Sequence, residues 1–310
     1  MTTAFYSPDS STLHDMGRGH PERPERISAV HKGLEQAGLL NGLDRRQAPA
    51  VGRSALERVH DPDYVEQLFA ASPASGLRQL DPDTAMNPHS LEAASDAAGA
   101  VVNAVDRVLA GDAANAFCAV RPPGHHAEYA RAMGFCFFDS VAVGAAHALT
   151  RHGLERIAIL DFDVHHGNGT EDVLRDEPRV LFCSSYQNPL FPYTDDEIIP
   201  GKLIKSPLRA GQGSDVFRRT IERDWLPSVS AFKPQLVLVS AGFDAHRADP
   251  LAGLELEADD FAWVTERIVE LADEFCDGRI VSTLEGGYDL SALAASAAAH
   301  VGVLLKRGER

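Results

Sequence analysis

The chain has no surplus of basic residues. Its 29 Lys and Arg stand against 45 Asp and Glu, for a formal net charge of −16. Phosphate backbones are held by basic faces, so a general nucleic-acid binder is excluded. Cysteine is scarce. Cys118, Cys136, Cys183 and Cys276 are the whole set, and none forms a CxxC pair. Cys118 and Cys183 sit in strand-like apolar runs, so buried free thiols in a reducing compartment are expected. No run of about 18 apolar residues occurs, so no membrane span is expected. The segment "MTTAFYSPDSSTLHD" has no basic stretch followed by an apolar one, so no secretory leader is expected and the cytoplasm is the expected location. There is no internal repeat and no low-complexity tail.

What is present is ordinary for a soluble globular chain: 310 residues, 44% hydrophobic and 24% charged. That length suits one large α/β domain or two ordinary ones. The acidic balance fits simple solubility, and it leaves room for a cationic substrate such as a lysine-bearing peptide or a polyamine. Two Ala-rich stretches, 91–111 and 290–308, have helical periodicity. Short apolar runs read as strands: "AFCAV" (116–120), "RIAILDF" (156–162), "RVLFCS" (179–184), "QLVLVSA" (235–241) and "RIVSTLE" (279–285). Helical segments lie between them. Near-continuous apolar strands separated by helices predict an α/β fold, a central parallel β-sheet flanked by helices, in a single domain over 1–310. Residues 71–90, with Pro, Ser, Gly and Asp, read as a long loop.

Each predicted strand runs into a polar or glycine-rich segment: "RPPGHHAE", "DVHHGNGT", "SYQNPLFPYTDD", "GFDAHRADP" and "GGYD". Ligands of open α/β sheets bind beyond the carboxyl ends of the strands, so these segments should share one rim. Asp161, Asp163 and His165 are spaced by two, and a strand would point all three the same way. Asp163 and His165 would then hold a cation, with Asp161 just behind. Alone, DxDxH equally describes a turn with Asx-type hydrogen bonds. Asp244, after an apolar strand, supplies a further ligand, since an acid buried there would otherwise be uncompensated. Two carboxylates and one imidazole suit Zn²⁺ and also Fe²⁺ or Co²⁺. His125 and His126, adjacent at a strand end facing this site, read as acid–base groups. Asp161 can hold one ring and Asn168 the other. A charged partner raises basicity more than a neutral one, so the two rings should differ in proton affinity. Tyr288 follows two glycines that permit close backbone approach. Beside a metal its phenol can donate to a developing oxyanion; alone it reads as a packing residue.

The set "RPPGHHA", "GFCFFDSVAVG", "DFDVHHGNGT", "SAGFDAHRADPLAG" and "LEGGYD" resembles the histone deacetylase superfamily, whose fold is shared with arginase. The likeness runs from "HPERPERI" (20–27) to residue 289. It is greatest to the class II-like branch of bacterial deacetylase-like amidohydrolases and acetylpolyamine amidohydrolases. The resemblance implies that Asp163, His165 and Asp244 bind catalytic Zn²⁺. His126 would be the general base and then acid, and His125 an electrostatic partner held by Asp161. Asn168 would partner His126, leaving His166 a structural neighbour. Tyr288 would polarise the substrate carbonyl. Gly134, Phe135 and Phe191 would line a narrow tunnel, with the Gly134 carbonyl offered to the substrate amide. Arg26 would sit at the base of an internal cavity through which acetate passes. A structural K⁺ would use Asp161, Ser184 and main-chain carbonyls of Asp163, His165 and Ser185.

Some positions depart from the family pattern. Asp139 and Ser140 stand where two Asn are frequent. Asn168 replaces the Asp of class I members, as is usual in the class II-like branch. Leu251 occupies the place of a gatekeeping Glu in the polyamine-selective eukaryotic branch, among the substrate-lining positions. The implied activity is zinc-dependent hydrolysis of an acyl amide, acetyl-lysine or a small N-acyl amine such as an acetylpolyamine. Partners would be small-molecule or peptide substrates, with no direct nucleic acid and no membrane; a homo-oligomer stays open. Loops 14–26 and 71–90 should frame the entrance. The competing readings are an arginase-like hydrolase, which would need two metals and more acids, and a non-catalytic binding protein.

Overall fold

In the computed structural model, which describes residues 2–47, 49–195 and 197–309, the apolar runs become strands buried on both faces. In chain order the strands are β1 (Thr3–Tyr6), β2 (Leu43–Arg46), β3 (Arg78–Gln79), β4 (Ala85–Met86), β5 (Asn115–Cys118), β6 (Ile157–Asp161), β7 (Val180–Gln187), β8 (Leu203–Leu208), β9 (Leu236–Ala241) and β10 (Ile280–Leu284). The helices are α1 (Glu25–Gln36), α2 (Arg53–Leu56), α3 (Pro62–Ala71), α4 (Ser90–Ala110), α5 (Ser140–Arg151), α6 (Asn168–Leu174), α7 (Ser214–Phe232), α8 (Ala258–Phe275) and α9 (Leu290–Gly308).

An 8-stranded sheet has the order β2-β1-β5-β10-β9-β6-β7-β8, with every neighbouring pair parallel. Period-two alternation splits its side chains between two layers. In β9, Leu236 and Leu238 join the cluster that includes α4 and α5, whereas Val237, Val239 and Ala241 join the cluster of α1, α7, α8 and α9. Both faces are covered, which is why these strands read as continuous apolar runs. All four cysteines are buried and unpaired. No helix among the described residues is long and apolar enough to cross a membrane.

The five predicted strands are β5, β6, β7, β9 and β10, and they are neighbours in the sheet. The segments after them therefore emerge side by side at one rim. Two helices start directly from that rim on acidic caps: Asp139 accepts from the Ala142 N–H at 2.9 Å, and Asp289 from the Ser291 and Ala292 N–H groups at 3.0 and 2.8 Å. The structure adds strands that were not predicted: β1, β2 and β8 complete the sheet, and the 71–90 loop contains the short antiparallel pair β3–β4.

Candidate active site

The path that brings Asp163 and His165 together differs from the predicted one. Strand β6 ends at Asp161, so strand alternation does not aim Asp163 and His165. The chain turns instead. The Asp161 Oδ1 accepts from the Asp163 N–H at 3.1 Å, and the Asp163 Oδ1 from the His165 N–H at 2.9 Å. These are Asx-type turns, so the turn reading and the ligand reading describe the same loop. The Asp163 Oδ2 is fixed by the Gly286 N–H at 2.8 Å, and the Asp244 Oδ1 by the Val164 N–H at 2.9 Å.

These contacts gather Asp163, His165 and Asp244, all buried, with ligand atoms within 4.8 Å of one another. His165 Nδ1 lies 3.0 Å from Asp163 Oδ1 and 3.2 Å from Asp244 Oδ2. Donors about 2.0 Å from a tetrahedral ion are ~3.3 Å apart, so the spacing suits one cation. Asp244 Oδ2 is buried and makes no hydrogen bond. Burial disfavours a charged His165 ring, but Asp163 and Asp244 outweigh it and push its pKa up to about 10. The two acids thus favour a positive charge at this point, which a metal ion would supply in exchange for the proton. Gly286 makes the arrangement sterically possible: a Cβ there would sit 2.0 Å from Asp244 Oδ2 and 2.6 Å from Asp163 Oδ2.

The two predicted acid–base histidines stand beside the cluster with different partners. His125 Nδ1 is 2.9 Å from Asp161 Oδ2. Burial opposes its charge, yet Asp161 and then Asp163 hold its pKa well above the usual imidazole value. His126 Nδ1 is 2.7 Å from Asn168 Oδ1. The Asn168 amide is oriented by donating its Nδ2 to Glu128 Oε1 at 2.7 Å. Its Oδ1 can only accept, so His126 carries its proton on Nδ1 and leaves Nε2 as a bare lone pair. Burial, then the neighbouring His125 and His165, lower the His126 pKa well below the usual value. The two rings are thus shifted in opposite directions, His125 upward beside its carboxylate and His126 downward beside its amide.

Tyr288 is buried, its ring edge to face with Phe135 at 5.8 Å between centroids and under the Arg26 guanidinium at 4.8 Å. Burial first, then Asp244 and Asp163, raise its pKa well above 10 against the opposing Arg26, so it remains a phenol. A cleft of about 230 Å³ is lined by His126, His165 and Tyr288 together with Gly134, Phe135, Phe191 and Leu251. Gly134 has φ +56°, and a Cβ there would lie 2.5 Å from His126 Cδ2. A larger groove of about 1060 Å³ lies along α1, α8 and α9, around Gly33, Ala294 and Ala298, and carries none of these groups.

The remaining predicted residues fall behind or beside this cleft. Arg26 does not line it. It is fully buried, donating to the Gly287 carbonyl at 2.7 Å, to Glu22 at 3.0 Å and to the Glu285 carbonyl. Asp161 pairs in register with Ser184 on one side and Ser240 on the other, and Ser185 follows on β7. The Ser184 hydroxyl also meets His166 Nδ1 at 2.9 Å, and His166 Nε2 meets Glu171 at 2.7 Å, as befits a structural neighbour. Loops 14–26 and 71–90 each bring one side chain to the cleft or its wall. Asp83 lines the cleft, and His20 packs 4.7 Å from Phe135.

Several residues escaped the sequence reading. Asp83, Leu190 and Tyr193 line the cleft. Asp249 accepts from the Tyr288 N–H at 2.7 Å and from the Leu251 N–H at 3.0 Å, tying two cleft residues together. Glu285 accepts from the Gly124 and His125 N–H groups at 2.7 and 3.2 Å, and burial pushes its pKa up to about 8. Glu22 pairs with Arg121 and Arg26 in a network with no solvent exposure.

The chain is similar to known proteins over most of its length. A family profile described as histone deacetylase domain matches residues 20–304. A histone deacetylase-like amidohydrolase of Pseudomonas aeruginosa is 41% identical over 277 residues, covering 87% of this chain and 73% of that protein. Polyamine deacetylase HDAC10 of Mus musculus is 36% identical over 307 residues, covering 92% of this chain and 45% of that protein. Among solved structures, the HD domain of HDA15 superposes with a TM-score of 0.93 at 33% identity, over 99% of this chain and 90% of that one.

Proposed function

The chain belongs to the histone deacetylase domain family, and on that premise we propose that it is a zinc-dependent deacetylase that hydrolyses an acyl amide of the acetyl-lysine type to acetate and a free amine. Asp163, His165 and Asp244 would hold the zinc ion. The buried Asp244 Oδ2, whose near neighbour is the ring of His165, and the three converging ligand atoms support that fit, and Fe²⁺ or Co²⁺ would suit the same donors. When bound, the ion supplies Lewis-acid polarisation of the amide carbonyl and of water.

The chain's own groups do the rest. His126 Nε2, left bare by the His126–Asn168 contact, takes a proton from the attacking water. The water oxygen bonds to the carbonyl carbon, and the Tyr288 phenol donates to the oxyanion that forms. His125, kept charged by Asp161, adds positive potential beside it. The C–N bond then breaks, and His126 returns its proton to the departing nitrogen. Phe135 and Phe191 suit a thin alkyl stem, and the Gly134 carbonyl would accept from the substrate amide. Asp161, Ser184, Ser185 and the carbonyls of Asp163 and His165 would hold a structural K⁺.

The observation that carries this proposal is convergence: a base nitrogen, a metal triad and a neutral phenol meet beside one aromatic-walled cleft. A second substrate class, acetylpolyamines, is favoured by the likeness to a protein named polyamine deacetylase. Leu251 in the cleft lining speaks against it, because it brings no charge for a cationic amine. Competing turnover of acetyl-lysine peptides and acetylpolyamines, with hydroxamate inhibition as a control, tests both. Preference for the peptides supports the first class; preference for the polyamines replaces it.

A further inference from the structure

Outside the cleft lining, α4 and α5 pack against each other closely. Helix α5 starts at the active-site rim and ends where the chain turns back toward the start of β6. Gly144 sets the close approach: a Cβ there would lie 2.6 Å from Val101 Cγ1 of α4. His147, three residues on, shares that face of α5. Asp106, next to Val105 on α4, faces it. His152 is the residue that ends α5, its N–H bonded back to the Ala148 carbonyl.

Three side chains from two helices therefore meet at one point. His147 Nε2 and His152 Nε2 each lie 2.6 Å from the same oxygen, Asp106 Oδ1. The three ligand atoms are within 4.8 Å of one another, and the two rings meet edge to face with centroids 5.5 Å apart. Asp106 is 45% exposed at its side chain and His152 28%, so ions in solution can reach the point. Without an ion the two rings hydrogen-bond to Asp106, and a cation in place of those protons would part the donors to ~3.3 Å, a small shift for side chains that reach solvent. Imidazole and carboxylate are the donors preferred by zinc and its first-row neighbours, with water filling the open positions.

We propose that Asp106, His147 and His152 form a second divalent-metal site that takes Zn²⁺ and clamps α4 to α5, separate from the catalytic centre. The test is the zinc content of the full, untagged chain after equilibrium dialysis against micromolar Zn²⁺. The wild type should hold one equivalent more than the His147→Ala/His152→Ala double variant. Acetyl-lysine reporter turnover should be the same in both, since neither histidine lies at the cleft. Equal zinc content in the two proteins overturns the proposal. Asp106→Asn keeps the helix contact and its shape; if the double variant fails to fold, loss of one zinc equivalent in Asp106→Asn supports the site, and unchanged content overturns it.

Discussion

Replacing Tyr288 with Phe removes a single oxygen, and the structure states what that oxygen does not do. The hydroxyl makes no hydrogen bond to any described residue, whereas the ring packs on Phe135 and Arg26. The ring contacts survive in Phe, so stability should change by no more than ~0.5 kcal/mol. Zinc should also stay, because Tyr288 is not among the gathered ligand atoms. Only the donation to the oxyanion is lost. Removing one such donor costs about 10²–10³ in kcat, or ~3 kcal/mol, and that interaction exists only in the transition state. KM should therefore remain within a few-fold of wild type while kcat collapses. Steady-state turnover of an acetyl-lysine reporter, with metal content and Tm measured on the same sample, reads all three. A kcat close to wild type would remove Tyr288 from the chemistry. A large loss of zinc would assign it a structural role instead.

Asp249→Ala frees the Tyr288 and Leu251 N–H groups; we expect a stability loss of about 1–3 kcal/mol per unpaired buried group and a kcat drop of about 10-fold or more with zinc retained, and an unaltered kcat would show that Tyr288 is placed by other contacts. Gly286→Ala drives a methyl group into the Asp244 and Asp163 carboxylates, so elemental analysis should find the catalytic zinc lost along with activity; full zinc content would contradict the packing described. His300, buried between Thr265 and Ser282, has its pKa lowered to about 3 by burial. Its folded value lies below the unfolded value of about 6.5, so its contribution is complete above pH 6.5 and is lost as pH falls from there toward 3. The stability gap between wild type and His300→Gln, from urea unfolding, should therefore shrink by about 2 kcal/mol between pH 7.5 and pH 5. A gap independent of pH would mean that the ring is not held neutral.

The sheet centre was legible because β5, β6, β7, β9 and β10 are buried on both faces and leave unbroken apolar runs. The edge was not. Strand β2 reads "LDRR", with two exposed residues, and carries no apolar run to find. His125, His126, Asp163, His165 and Asp244 could be singled out because each lies in a short polar motif directly after an apolar run, and the structure brings them together. The predicted reason for the alignment of Asp163 and His165 was strand alternation, and the structure replaces it with backbone-to-carboxylate turns beyond the end of β6. Asp249 and Asp83 act across the fold, on Tyr288 and on the cleft, and sequence spacing carries no trace of such distances. Glu285 ends the predicted strand 279–285, and only its bonds to Gly124 and His125 reveal what it holds.

The most direct test of metal-dependent amide hydrolysis is reporter turnover through one cycle of chelation and zinc return. Protein stripped of metal should lose activity toward acetyl-lysine and regain it when Zn²⁺ is added back, and Asp244→Ala should not respond. Undiminished turnover in protein shown by elemental analysis to be metal-free would contradict the assignment of Asp163, His165 and Asp244 as the catalytic metal site.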